Sequence, residues 1–187
     1  MTKSLLYLIK LSIVPVIALI GGKIVGIIIA GSLLGVEVAW NYSNPLSLLS
    51  PSVSSNDVIS ITTFANLFMY GCLAIGMSVV LIQSSFFHDS HIDINRVSKL
   101  ADFNLIKLIK SSYDLYHWGF VWTIYLIIGT VLILLDTIVG KTAFVIFVIT
   151  AVFSISTVMI LVKDVYNEIE IAKQINKESN ERPTKSN

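Results

Sequence analysis

The sequence predicts an all-α integral membrane protein, a four-transmembrane-helix antiparallel bundle with a cytoplasmic amphipathic helix between helices 2 and 3. Four long apolar blocks predict the helices, because each meets or exceeds the roughly 20 residues that span about 30 Å of hydrocarbon. The composition agrees, since 55% of the 187 residues are hydrophobic and 13% are charged, well outside the range of a soluble domain. The third observation is the uneven distribution of Lys and Arg along the chain.

The predicted spans cover residues 11–36, 58–82, 118–138 and 142–162. We expect residues 1–177 to form a single membrane domain and the polar residues 178–187 to form a disordered cytoplasmic tail. Between the third and fourth spans, Val139, Gly140 and Lys141 leave room only for a tight turn. These two spans are therefore predicted to form an antiparallel hairpin.

Positive charge predicts the orientation. Eleven of the 13 Lys and Arg residues fall in the N-terminus, the loop between the second and third spans, and the C-terminal tail. An even number of crossings places these three segments on one side, and positive residues are retained on the cytoplasmic side. We therefore expect both termini in the cytoplasm and the protein in a bacterial inner (plasma) membrane.

The start of the third span is rich in aromatic residues: Tyr113, Tyr116, Trp118 and Trp122. Amphipathic rings favour the headgroup region of a bilayer. We therefore expect these side chains at the cytoplasmic membrane surface.

Residues 91–112 are predicted to form the amphipathic helix. At 100° per residue, six apolar residues share one face: Ile94, Val97, Ala101, Leu105, Leu108 and Ile109. Four basic residues cluster on the opposite face: Arg96, Lys99, Lys107 and Lys110. Such a helix can lie on the anionic inner leaflet or pack against a partner.

The first span carries a stripe of small residues. Ala18, Gly22, Gly26 and Ala30 recur every fourth residue, so they share one helix face. Close backbone approach across small residues is a main source of helix association in lipid. We interpret the stripe as a helix-packing site, either for another membrane-protein subunit or a second copy of the chain, or for the other helices of its own chain.

Lys23 lies near the middle of the same span, where a charge costs about 2.5–3.5 kcal/mol. The other three spans contain no acid near the midplane, because Asp136 lies within one turn of the outer boundary. Asn66 is the nearest strong polar group. Lys23 is expected to reach toward the membrane surface, or to bond Asn66 or free carbonyls. The alternatives are an acid supplied by another subunit and a role in transport.

Four metal-ligating side chains lie close together in the middle loop: His88, Asp89, His91 and Asp93. Two His and two carboxylates can hold zinc, but the start of the amphipathic helix explains Asp93, and we expect no metal. Asp114 and His117 share a helix face at the mouth of the third span, where we expect an interfacial role rather than an acid–base pair. No phosphate-binding glycine loop, HExxH or GxSxG motif is present, so no cofactor is expected.

The sequence thus favours a non-catalytic, polytopic protein that acts as a subunit or accessory factor of a larger membrane complex. Its expected partners are the lipid bilayer and other membrane chains, and no basic stripe interleaved with aromatic residues suggests nucleic acid. The alternative is a small oligomeric transporter or channel with Lys23 and Asn66 as polar lining. An enzyme that uses the His and Asp residues of the middle loop is the least supported interpretation.

Overall fold

The computed structural model of the protein describes residues 3–40, 57–86 and 112–181. These residues contain four α-helices: α1 (Lys3–Leu34), α2 (Val58–Phe86), α3 (Ser112–Ile138) and α4 (Phe144–Glu181). Each helix includes a segment long and apolar enough to cross a membrane: Leu6–Leu34, Val58–Ser84, Asp114–Ile138 and Phe144–Ile171. The prediction of four such helices is confirmed. Residues 91–111 of the predicted amphipathic helix and residues 182–187 of the predicted tail lie outside the described residues.

Two glycines end α1 and α3 in the same way. Gly35 and Gly140 have φ of +65° and +75°, a conformation that favours glycine. After α3, the Gly140 amide donates to the carbonyl of Thr137 at 3.0 Å, and the Lys141 amide donates to the carbonyl of Asp136 at 2.8 Å. This is the Schellman arrangement that satisfies the last carbonyls of a helix, and Gly35 produces the same pattern after α1. The second glycine makes the turn into α4 possible.

The helices do not contribute equally to the packing. α1 packs most extensively against α2 and less against α3, α2 also packs against α3, and α3 packs against α4. α4 makes a lighter contact with α2, so it lies at the edge of the structure. Only 17% of the most apolar window of α4 is buried within the chain, against 33–39% for the other three helices.

Two apolar cores hold the helices together. The larger core combines side chains from all four helices and is centred on Met69, Leu73 and Met77 of α2. The smaller core lies between the end of α1 and the beginning of α2, where Ile27 and Ile61 are buried and the segment after α1 folds back over them. The larger core therefore fixes the four-helix part, and the smaller core fixes only the α1–α2 pair.

Trp122 belongs to the larger core rather than to the membrane surface. It is 5% exposed, and a Cβ atom on Gly76 of α2 would lie 2.0 Å from the Trp122 ring. The expectation that Trp122 lies in a surface aromatic belt is wrong for this reason: the missing side chain of Gly76 provides the space that the indole occupies.

Candidate functional site

Lys23 of α1 forms an ion pair with Asp136 of α3. The Nζ atom of Lys23 lies 2.7 Å from Oδ2 of Asp136. The Lys23 side chain is 6% exposed and that of Asp136 is 22% exposed. A lysine on an apolar helix therefore has its counter-charge within the same chain.

Asn66 of α2 joins the pair to the α3–α4 turn. Its Nδ2 group donates to Oδ2 of Asp136 at 2.9 Å and to Oγ1 of Thr142 at 2.7 Å. Asn66 is fully buried, and its Oδ1 atom has no hydrogen-bond partner among the described residues. Lys23, Asn66, Asp136 and Thr142, which we name the Lys23 cluster, thus connect α1, α2, α3 and the turn before α4.

Asp136 was discounted because it lies within one turn of the outer boundary, but it is the acid that pairs with Lys23. Depth was judged from position along the helix axis, which places Asp136 only two residues before the end of α3. Side chains on a helix lean toward its N-terminus. Asp136 therefore leans back from the end of α3, Asn66 leans toward the beginning of α2, and the two side chains meet at 2.9 Å. Lysine adds a long flexible stem, which lets the ammonium reach Asp136.

The small-residue stripe of α1 faces α2. A Cβ atom on Gly26 would lie 2.8 Å from Cα of Ala65, and one on Gly22 would lie 3.1 Å from Cα of Met69. Ala30 is buried in the smaller core, and Ala18 packs against the larger one. Of the two interpretations left open by the sequence, the structure provides a partner for the stripe within the chain.

A second polar group lies deeper between α2, α3 and α4. The hydroxyl of Tyr70 donates to the carbonyl of Thr150 at 2.8 Å and lies 2.5 Å from Oγ of Ser154. The Ser154 hydroxyl also lies 2.8 Å from Oγ1 of Thr130. Tyr70 follows Asn66 by one helical turn on α2, so the two polar groups occupy the same side of that helix.

A third polar group lies at the opposite end of the helices from the α3–α4 turn. Asp164 of α4 accepts hydrogen bonds from Ser84 of α2 and from Tyr116 of α3, the second at 3.5 Å. Tyr70 and Ser84 are fourteen residues apart, about 21 Å along α2. Most of the buried side chains described between them are apolar: Leu73, Met77, Val80, Trp122 and Leu126.

Asp114 and His117 both contact Tyr7 of α1. The Tyr7 hydroxyl donates to Oδ1 of Asp114 at 2.6 Å, and the Tyr7 ring meets the His117 ring edge-on at 6.0 Å. The sequence singled out the two α3 residues by their spacing but gave no sign of Tyr7, which lies over one hundred residues away. Their contacts join the beginning of α1 to the beginning of α3.

The His and Asp residues of the middle loop, from His88 to Asp93, at which we expect no metal, lie outside the described residues. Within residues 3–40, 57–86 and 112–181, no three His, Cys, Asp or Glu side chains come together as a metal site would require. The thiol of Cys72 is free and lies near Gly22 in the α1–α2 contact.

Comparison of the chain with protein-family models, with curated proteins and with solved structures finds no match.

Proposed function

We propose that this protein is a non-catalytic, polytopic membrane protein that acts as a subunit or accessory factor of a larger membrane assembly. The observation that carries the proposal is a contrast between the interior and α4. Polar side chains between the helices bind one another, whereas α4 is the least buried of the four apolar helices. Such a chain is suited to joining a neighbour in the membrane rather than to enclosing a path.

The outer face of α4 is apolar along its membrane-length segment. Six exposed side chains recur on it every three or four residues: Val145, Val148, Val152, Ile155, Met159 and Val162. The buried face of the helix carries the hydroxyl residues Thr150, Ser154 and Thr157 instead. Packing against a partner helix would cover the apolar face by the van der Waals contact that drives association in lipid.

The proposed contact surface is the outer face of α4, and not the small-residue stripe of α1 that the sequence suggested. Gly22 and Gly26 already lie against α2, so a partner would have to displace α2 in order to reach them. The face of α4 requires no such rearrangement.

We further propose that the four helices form an antiparallel bundle in a bacterial inner membrane with both termini in the cytoplasm. The Tyr7–Asp114 and Ser84–Asp164 contacts bring together the helix ends that the Lys and Arg distribution assigns to the cytoplasm. Lys141 lies in the turn at the opposite end. Reporter fusions after Lys141 and at the C-terminus test the orientation, and opposite compartments are expected for the two.

Site-specific crosslinking tests the assembly proposal. In a Cys72→Ala background, single cysteines replace Val152 and Met159 on α4, which are 59% and 67% exposed. Matched controls replace Ile13 and Ile17 on α1, which are 53% and 63% exposed. In native membranes we expect the α4 positions to capture one identifiable chain in constant proportion and the α1 positions to capture none. Failure at all four positions would mean that lipid alone covers α4. Equal capture from both helices would mean that the contact is not specific to α4, and either result contradicts the proposal.

A transporter or channel is the second candidate function, and the Lys23–Asp136 pair is the observation that favours it. Ionisable pairs inside a membrane commonly mark ion or proton pathways. The apolar side chains between Tyr70 and Ser84 oppose it, because they separate the polar groups at the two ends. Ion or solute flux is compared in vesicles that contain wild-type protein or Lys23→Met. A transporter or channel lined by Lys23 should lose flux in the variant, whereas unchanged flux would exclude this second function.

A further inference from the structure

We propose that Asp136, Asn66 and Thr142 form a binding site for a monovalent alkali cation, and that the cation exchanges with the ammonium group of Lys23. The Lys23–Asp136 pair is then the resting form of an exchange site rather than only a brace between α1 and α3. This inference is independent of the assembly proposed through α4.

The oxygen atoms of the site carry the first step of the argument. One amide, that of Asn66, hydrogen-bonds both the carboxylate of Asp136 and the hydroxyl of Thr142. Carboxylate, amide carbonyl and hydroxyl oxygens are the ligands that hard cations prefer. Three such side chains, from α2, α3 and the α3–α4 turn, are therefore joined through one amide group.

The buried oxygen of Asn66 carries the second step. Its Oδ1 atom is fully buried and has no partner among the described residues, although a buried polar atom is normally hydrogen-bonded. In the resting form the Nδ2 side of the amide faces the ionised carboxylate. Turning the amide over would exchange the two ends: Nδ2 would take the buried position without a partner, and Oδ1 would face the oxygens of Asp136 and Thr142, an arrangement that only a cation between the oxygens would favour.

The charge of the cluster selects a monovalent ion. Asp136 carries one negative charge, and the ammonium of Lys23 balances it in the structure. A monovalent cation replaces the ammonium at Asp136 one for one, and the released ammonium must then reach water at the partly exposed α3–α4 end, because a charge left without a partner between the helices is costly. A divalent ion would in addition leave a positive charge on the site itself. The small number of ligands from one carboxylate likewise argues against a divalent ion.

The two partners differ in a way that permits exchange. The Asp136 side chain is 22% exposed and lies next to the α3–α4 turn, so an ion can approach it from the end of the helices. The ammonium of Lys23 is held by a flexible four-carbon stem. It can therefore move away along the helix surface without movement of α1.

Thermal unfolding of the full chain in detergent tests the exchange. Sodium, lithium and potassium chloride are compared with N-methylglucamine chloride at equal ionic strength, for wild type, Lys23→Met and the double variant Lys23→Met with Asp136→Asn. We expect at least one alkali ion to raise the Tm of Lys23→Met at a concentration at least about 10-fold lower than in wild type, because the competing ammonium is absent. At 30 times the dissociation constant, the folded-to-unfolded ratio should rise about 30-fold. The double variant, which lacks the carboxylate, should not respond.

A second measurement tests whether an alkali cation binds at Asp136, and it does not require Lys23→Met to fold. Labelling of Asp136 by dicyclohexylcarbodiimide in the wild-type protein is followed by mass spectrometry in the same salts. Protection by an alkali ion, relative to N-methylglucamine, supports the site. Equal labelling in all salts, or identical Tm values in all salts for a folded Lys23→Met, would overturn it.

Discussion

Removing one partner of the Lys23–Asp136 pair should destabilise the protein more than removing both partners. When one member of a buried ion pair is lost, the remaining charge has no compensation, and the cost is about 3–5 kcal/mol. Replacing both members removes that cost and is often close to neutral. The perturbations are Asp136→Asn, Lys23→Met and the two together.

The exposures of the two side chains set the expected order. Asp136→Asn leaves a charge on Lys23, whose side chain is 6% exposed, so we expect a loss of about 3 kcal/mol, the lower end of that range. Lys23→Met leaves Asp136, which is 22% exposed and keeps the hydrogen bond from Asn66, so the expected loss is about 1–2 kcal/mol. The double variant should lose no more than about 1 kcal/mol relative to wild type, which corresponds to a coupling energy of about 3–5 kcal/mol between the two sites.

Equilibrium unfolding in mixed micelles, followed by tryptophan fluorescence in N-methylglucamine buffer, measures all four proteins. A loss of about 3 kcal/mol changes the folded-to-unfolded ratio on the order of 100-fold, well above the error of such titrations. If the loss in the double variant equals the sum of the two single losses, the two groups do not interact and the reasoning is refuted. It is also refuted if Asp136→Asn is as stable as wild type.

The remaining predictions concern the contacts between the helices. Gly26→Ala should cost about 1–3 kcal/mol, because its Cβ would lie 2.8 Å from Cα of Ala65. Gly71→Ala, with nothing within 4 Å, is the matched control and should be neutral or stabilising in the same unfolding titration. Gly140→Ala should lose about 1–2 kcal/mol because φ is +75° there, and a loss below 0.5 kcal/mol (about a twofold change in the folding ratio) would show that the turn relaxes. Tyr70→Phe removes a hydroxyl that bonds α4 and should cost about 0.6–1.7 kcal/mol, measured by the same titration; no change would mean that these bonds contribute nothing to holding α4.

Hydropathy predicted the helices well because a membrane-length helix requires a long uninterrupted apolar run, which is visible in the sequence. The same reasoning singled out Lys23 and Asn66 because polar groups are rare in such runs. It discounted Asp136 because position along a helix axis omits the direction and reach of a side chain. The pairing depends on which faces of α1, α2 and α3 meet, and that is a property of the packing rather than of any one segment.

The glycines of α1 show a related restriction. Spacing of four predicts that some helix backbone approaches α1 closely, but the pattern carries no information on which helix does so. The surface of α2 that contacts these glycines, from Ala65 to Cys72, carries no sequence pattern of its own that marks it as a packing surface. It is recognised only when the two helices are seen paired. Gly76 is the converse case, since its role is to admit a Trp122 ring that lies on a different helix.

α4 reverses the distribution of polarity found in soluble proteins, and this bears on how it can act. Its hydroxyl residues face the other helices and its apolar residues face outward. Hydrogen bonds between helices in a membrane contribute on average about 0.6 kcal/mol each, less than the close packing of glycine against backbone that joins α1 to α2. α4 is therefore held at the edge by a few hydrogen bonds, a short turn and side chains that pack only partly buried against the larger core, whereas α1, α2 and α3 supply every fully buried side chain of that core. In the proposed assembly, the far end of such a helix could adjust its tilt to a neighbouring chain, while its beginning stays fixed by the bond between Asn66 and Thr142.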